Sequence, residues 1–64
     1  MDDETTREII HEINNALTTI MGAAELIRAE SAPESQTARD AADIVEAALR
    51  SRELVAQLRS GLDA

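Results

Sequence analysis

The chain has 64 residues, 13 acidic and six basic, for a formal net charge of −7, and it contains no cysteine and no aromatic residue. A lone domain of this size buries only about 60% of the surface its unfolded chain exposes. With disulfides and thiolate metal sites excluded, and one histidine too few for a metal centre, oligomerisation is the remaining route to stability. Every basic residue is an arginine, and the acidic balance leaves no basic patch for nucleic acid and repels an anionic membrane.

The N-terminal MDDETTRE is acidic, unlike a signal or transit peptide, and no apolar run approaches the roughly 20 residues of a membrane span. A cytoplasmic location without membrane insertion by this segment is therefore expected. A core built only of Ile, Leu, Val, Ala and Met, set among many Glu and Arg, favours helix over strand.

The first predicted helix runs from about Asp3 to Glu30. Ile9 or Ile10, Ile13, Leu17, Ile20, Ala24 and Ile27 recur at steps of three and four, the stripe of a helix buried along one seam. Asp2, Asp3 and Glu4 suit the positive end of the helix dipole, and Thr5 and Thr6 are alternative caps. A loop at about residues 31–34 follows, within the sequence SAPES. Pro33 cannot continue the first helix. Ser31 with Glu34 fits a capping box for the next helix, and Ser35 is a second candidate cap.

The second predicted helix runs from about Glu34 to Ser60, with Gly61 expected to end it. Ala41, Ile44, Ala48, Val55, Leu58 and Leu62 form one stripe, broken by Ser51. Ala38, Ala42, Val45, Leu49 and Ala56 form another beside it. Together they span an apolar arc of about 200°. One partner helix does not cover so wide an arc. The expected architecture is all-α: one domain over residues 1–64, an antiparallel helical hairpin that pairs with a second copy as a homodimeric four-helix bundle. Ile13, Leu17, Ile20, Ile27, Ile44, Val55 and Leu58 are its expected core.

At about 100° per residue, His11 falls about 160° from Ile13, on the opposite side of the first helix. Asn15, Thr18 and Gly22 follow it on one polar strip, Leu26 lies on the same side, and Glu12 is on a flank. A glycine inside a helix costs about 1 kcal/mol relative to alanine and usually has a packing or functional reason. A lone exposed histidine is most often inert, so one reading is a non-catalytic dimerisation or signalling hairpin.

The joint pattern says more. His11-Glu12-Ile13-Asn14-Asn15-Ala16-Leu17-Thr18, followed by Ile20, Met21 and Gly22, resembles the H-box of the dimerisation and histidine-phosphotransfer domain of bacterial two-component sensor histidine kinases. Residues Ala47 to Leu58 look like the family's second helix. The resemblance implies that His11 is the phospho-acceptor and that Glu12 holds its Nδ1 proton and orients the ring. It implies that Asn15 positions water for dephosphorylation of a response regulator. Thr18, Gly22 and Leu26 would dock that regulator, whose aspartate takes the phosphoryl group. Many members have proline five positions after the histidine; this chain has Ala16. No ATP-binding domain is recognisable. The chain is expected to be the acceptor part of a longer histidine kinase, binding no cofactor or metal itself. It would take phosphate from ATP and Mg²⁺ held by a separate kinase domain, and would not phosphorylate itself alone.

Overall fold

Two helices, α1 (Asp3–Glu30) and α2 (Gln36–Asp63), fold back on each other as an antiparallel hairpin in the computed structural model, which describes residues 2–63. The result is a rod of 46 × 16 × 13 Å, a single layer of two helices with no interior beyond their mutual seam. No described helix is long and apolar enough to cross a membrane.

The helix ends depart from the sequence expectation in three places, each for a local reason. Asp2, rather than Thr5 or Thr6, caps α1: its backbone is extended and its Oδ1 accepts the Thr5 N–H at 2.7 Å. Its carbonyl then accepts both the N–H and the hydroxyl of Thr6, at 3.0 and 2.9 Å. The two threonines thus sit inside the first turn as donors.

At the loop, the Ser31–Glu34 capping box does not form. Ser31 closes α1 instead, its N–H donating to the Arg28 carbonyl and its hydroxyl to that of Ile27. Pro33 occupies a turn in which the Ser35 N–H donates to the Ala32 carbonyl at 3.0 Å, a place that suits its fixed φ. The cap passes to Ser35, whose Oγ accepts the Ala38 N–H at 3.1 Å. Hence α2 begins at Gln36 and not Glu34.

Gly61 does not end α2, which runs on to Asp63. No described glycine has the positive φ of a left-handed cap. The Arg7 guanidinium pairs with the Asp63 carboxylate across the open end of the hairpin, so the last turn of α2 is tied to the second turn of α1.

The single stripe expected on the first helix resolves into two. Ile10 and Ala24 are buried and Asn14, Leu17 and Met21 half-buried, all facing α2. Ile9, Ile13, Ile20 and Ile27 lie about 90° round from that seam and stay 39–46% exposed. On α2, Ala38, Ala41 and Ala48 are buried and Val45, Val55 and Leu62 half-buried, while Ile44, Leu54 and Leu58 are exposed. Because the helices are antiparallel, their side chains wind in opposite senses when viewed down the rod. The uncovered stripes of α1 and α2 therefore fall on the same side. Of the residues expected in a dimer core, Ile13, Ile20, Ile27, Ile44 and Leu58 lie on this uncovered face, and Leu17 and Val55 lie in the hairpin seam.

Two predictions follow from the helix ends. A Cβ at Gly61 would meet nothing within 4 Å, so Gly61→Ala should stabilise the hairpin by a few tenths to about 1 kcal/mol, read as a higher midpoint in thermal circular dichroism. A true terminator would show no gain. Separately, the Thr5 N–H holds the Asp2 carboxyl below the usual carboxylate range. A carboxyl depressed in the folded state supplies stability that is present above its unfolded pKa and is lost as pH falls through the folded one. The Thr5 amide resonance should thus keep its capped position down to about pH 4 and move below it. Asp2→Asn, a cap without charge, should flatten that response.

Candidate functional site

The only histidine sits on the third turn of α1, exposed, on the flank of the hairpin seam. It is about 180° from the uncovered Ile9, Ile13, Ile20 and Ile27 stripe. The periodicity that turns Ile10 and Leu17 toward α2 fixes this: a residue one step beyond a seam position turns about 100° away from it.

Down the rod from His11 the surface is polar and low. Asn15 is exposed, and so are Thr18 and Gly22. The Thr18 hydroxyl donates to the Asn14 carbonyl at 3.0 Å and that of Thr19 to the Asn15 carbonyl at 3.2 Å. Both threonine protons are thereby folded back onto the helix, leaving the Asn15 amide as the protruding polar group beside the histidine. A Cβ at Gly22 would meet no atom within 4 Å, so nothing within this chain requires glycine there. Leu26, 61% exposed, stands further along the same side. Helix α1 passes through Ala16 without interruption.

His11 borders two depressions of opposite character. One is a small hollow of about 90 Å³ lined by Arg7, Ile10, His11 and Asn14 of α1 and by Arg59 of α2. The other is an open groove lined by Glu4, Arg7, Glu8, His11 and Glu12. Arg7 borders both, while Arg59 lies only on the hollow and the carboxylates only on the groove. No hydrogen bond joins His11 to Glu12 among the described residues, as expected for neighbours whose side chains leave the helix about 100° apart. Among the described residues no group of three or more His, Cys, Asp or Glu is placed to hold a metal ion.

The structure therefore brings His11 and Glu12 onto one groove and sets Asn15, Thr18, Gly22 and Leu26 along the same side of α1. Sequence reasoning did not single out Asn14, Arg7 or Arg59. Asn14 was detectable in principle as a polar residue at seam spacing between Ile10 and Leu17. Arg7 was too, one turn before His11. Arg59 was not, because its nearness depends on the register of the hairpin. Leu49, 46% exposed, lies on the flank of α2 that faces the same way as His11; the sequence placed it in the second apolar stripe and not beside the histidine.

A family model described as the His Kinase A (phospho-acceptor) domain matches residues 2–60. No curated protein and no solved structure shows significant similarity to the chain.

Proposed function

The chain belongs to the His Kinase A (phospho-acceptor) domain family, and from that premise we propose that His11 is its phosphorylated residue. The observation that carries the reading is geometric. The one histidine is exposed on the side opposite the uncovered apolar face, so it stays accessible when that face is covered.

In the proposed reaction the lone pair of the neutral His11 Nε2 attacks the γ-phosphorus of ATP. A P–N bond forms, the bond from that phosphorus to the bridging oxygen breaks, and ADP leaves with the electron pair. ATP and Mg²⁺ are presented by a separate kinase domain, the metal ion offsetting the charge of the phosphates. Glu12 accepts a hydrogen bond from the Nδ1–H as the ring turns toward the groove they share, which fixes the tautomer and balances the developing imidazolium while Nδ1 keeps its proton. Catalytic hydrogen bonds of this kind often form only in the complex with substrate.

The phosphoryl group then passes to a response regulator. An aspartate oxygen attacks phosphorus, the P–N bond breaks, and Nε2 recovers its lone pair. Thr18, Gly22 and Leu26 are the proposed docking strip, where the missing Cβ at Gly22 lets a partner helix approach closely. Leu49 adds an apolar contact from α2. Asn15 is the proposed water-positioning residue for the reverse regulation, hydrolysis of the regulator's aspartyl phosphate. The proposed assembly is a homodimer closed over Ile13, Ile20, Ile27, Ile44 and Leu58, which together leave a contiguous apolar face on each copy.

Two measurements test this reading. Incubated with ATP, Mg²⁺ and a histidine-kinase ATP-binding domain, the chain should acquire acid-labile phosphate. His11→Ala should lose it entirely, and label persisting in that variant removes His11 from the role. In sedimentation equilibrium the chain should run at about twice its 6.9 kDa mass. Ile20→Asp should run as a monomer, since burying an unpaired carboxylate in that face costs several kcal/mol. A parent chain that is already monomeric contradicts the dimer.

A further inference from the structure

The small hollow beside His11 is basic in a strongly acidic chain. Two of the six arginines, Arg7 and Arg59, line it together with the only histidine. Its volume of about 90 Å³ is several times the 10–15 Å³ or so that a single water needs, which leaves room for a tetrahedral oxyanion.

The two arginines are not equivalent. Arg7 is engaged by Asp63, so its charge is largely offset. Arg59 has no carboxylate partner among the described residues. Along α2 it falls at the spacing of the side that faces α1, on the line of Ala38, Val45 and Arg52. An arginine there lays its methylene stem along the seam and carries its guanidinium to the rim, which here is the rim of the hollow that holds His11.

We propose that Arg59 is the phosphoryl-binding residue of the acceptor site, reaching across from α2 to hold the phosphate oxygens on His11, with Arg7 as a second donor once Asp63 releases it. This rests on the reading of His11 as phospho-acceptor. A planar guanidinium offers paired N–H donors matched to phosphate oxygens, and Asn14 on the same wall adds an amide. The arrangement stabilises the dianionic phosphoryl group against the carboxylates of Glu4, Glu8 and Glu12 in the adjoining groove. It also makes the acceptor site a property of the folded hairpin, since neither helix alone supplies it.

The test needs no kinase domain. Phosphoramidate transfers its phosphoryl group to an accessible imidazole: the P–N bond to nitrogen breaks, ammonia leaves, and a new P–N bond forms at His11. The labelled chain is then followed by ³¹P NMR across pH, which reads the titration midpoint of the bound phosphoryl group. Loss of one nearby positive charge should raise that midpoint by about one unit in Arg59→Gln and speed hydrolysis near neutral pH. Arg59→Lys should restore most of the shift. Asp63→Asn, which frees Arg7, should move the midpoint the other way. Arg52→Gln is the control: it removes the same charge one heptad away, about 10 Å along α2, and should leave the midpoint within a few tenths. Circular dichroism of each variant separates these effects from unfolding. A midpoint unmoved in both Arg59→Gln and Asp63→Asn, or moved equally by Arg52→Gln, overturns the proposal while leaving His11 as acceptor. Failure of phosphoramidate to modify His11 overturns both.

Discussion

The hairpin is held along a seam made mostly of alanine, and this restriction shapes everything else. Four of the five buried apolar residues are Ala24, Ala38, Ala41 and Ala48, with Ile10 the exception. Small side chains let two helix backbones come close, but each removes little apolar surface from water, at roughly 25 cal/mol per Å². The large aliphatic residues that normally supply stability are displaced to the flanks. Nine of them are 39–64% exposed, and fully burying one such side chain contributes about 1.5–3 kcal/mol. A hairpin built this way is half of a core, and the missing half has to be apolar, elongated and matched to a rod 46 Å long. A second copy of the same hairpin meets all three requirements.

Much of this was legible in the sequence because periodicity carries it. Steps of three and four in Ile9–Ile27 and Ala38–Leu62, one proline between them, and no aromatic or cysteine residues leave few alternatives to two antiparallel helices. The outward direction of His11 follows from the same arithmetic. What the pattern does not resolve is which apolar residues face the partner helix and which face outward. Ile9 and Ile10 are adjacent and chemically identical, yet one is uncovered and the other buried. Hydropathy alone ranks them equally; the small residues Ala41 and Ala48 decide, because they select the close-approach side of α2.

The capping errors have a related origin. Ser31 and Ser35 both have the right side chain, and both are used, one at the end of α1 and one at the start of α2. A sequence motif does not distinguish a serine that accepts from an N–H ahead of it from one that donates to a carbonyl behind it. Gly61 illustrates the converse. Glycine is the favoured residue just past a helix, but α2 runs on to Asp63, which meets Arg7, a contact between residues far apart in the chain. Arg59 was hidden for the same reason: its place beside His11 is a consequence of register, which only the closed hairpin sets.

The division of the rod into two opposed sides is what reconciles a small chain with two kinds of contact. The uncovered aliphatic stripes of α1 and α2 share one side, and His11 with Asn15, Thr18 and Gly22 occupies the other. A partner that covers the first leaves the second in water. Were the stripes on the His11 side, covering them would bury the imidazole beneath aliphatic side chains, where an anion on the ring would be severely destabilised. Placed as they are, they leave the imidazole solvated and bordered by Arg7 and Arg59, while the apolar surface is free to be covered. The antiparallel turn at Pro33 is the element that enforces this. It reverses the winding sense of α2 relative to α1, so that stripes set by two separate periodicities come to lie on a common side of the rod.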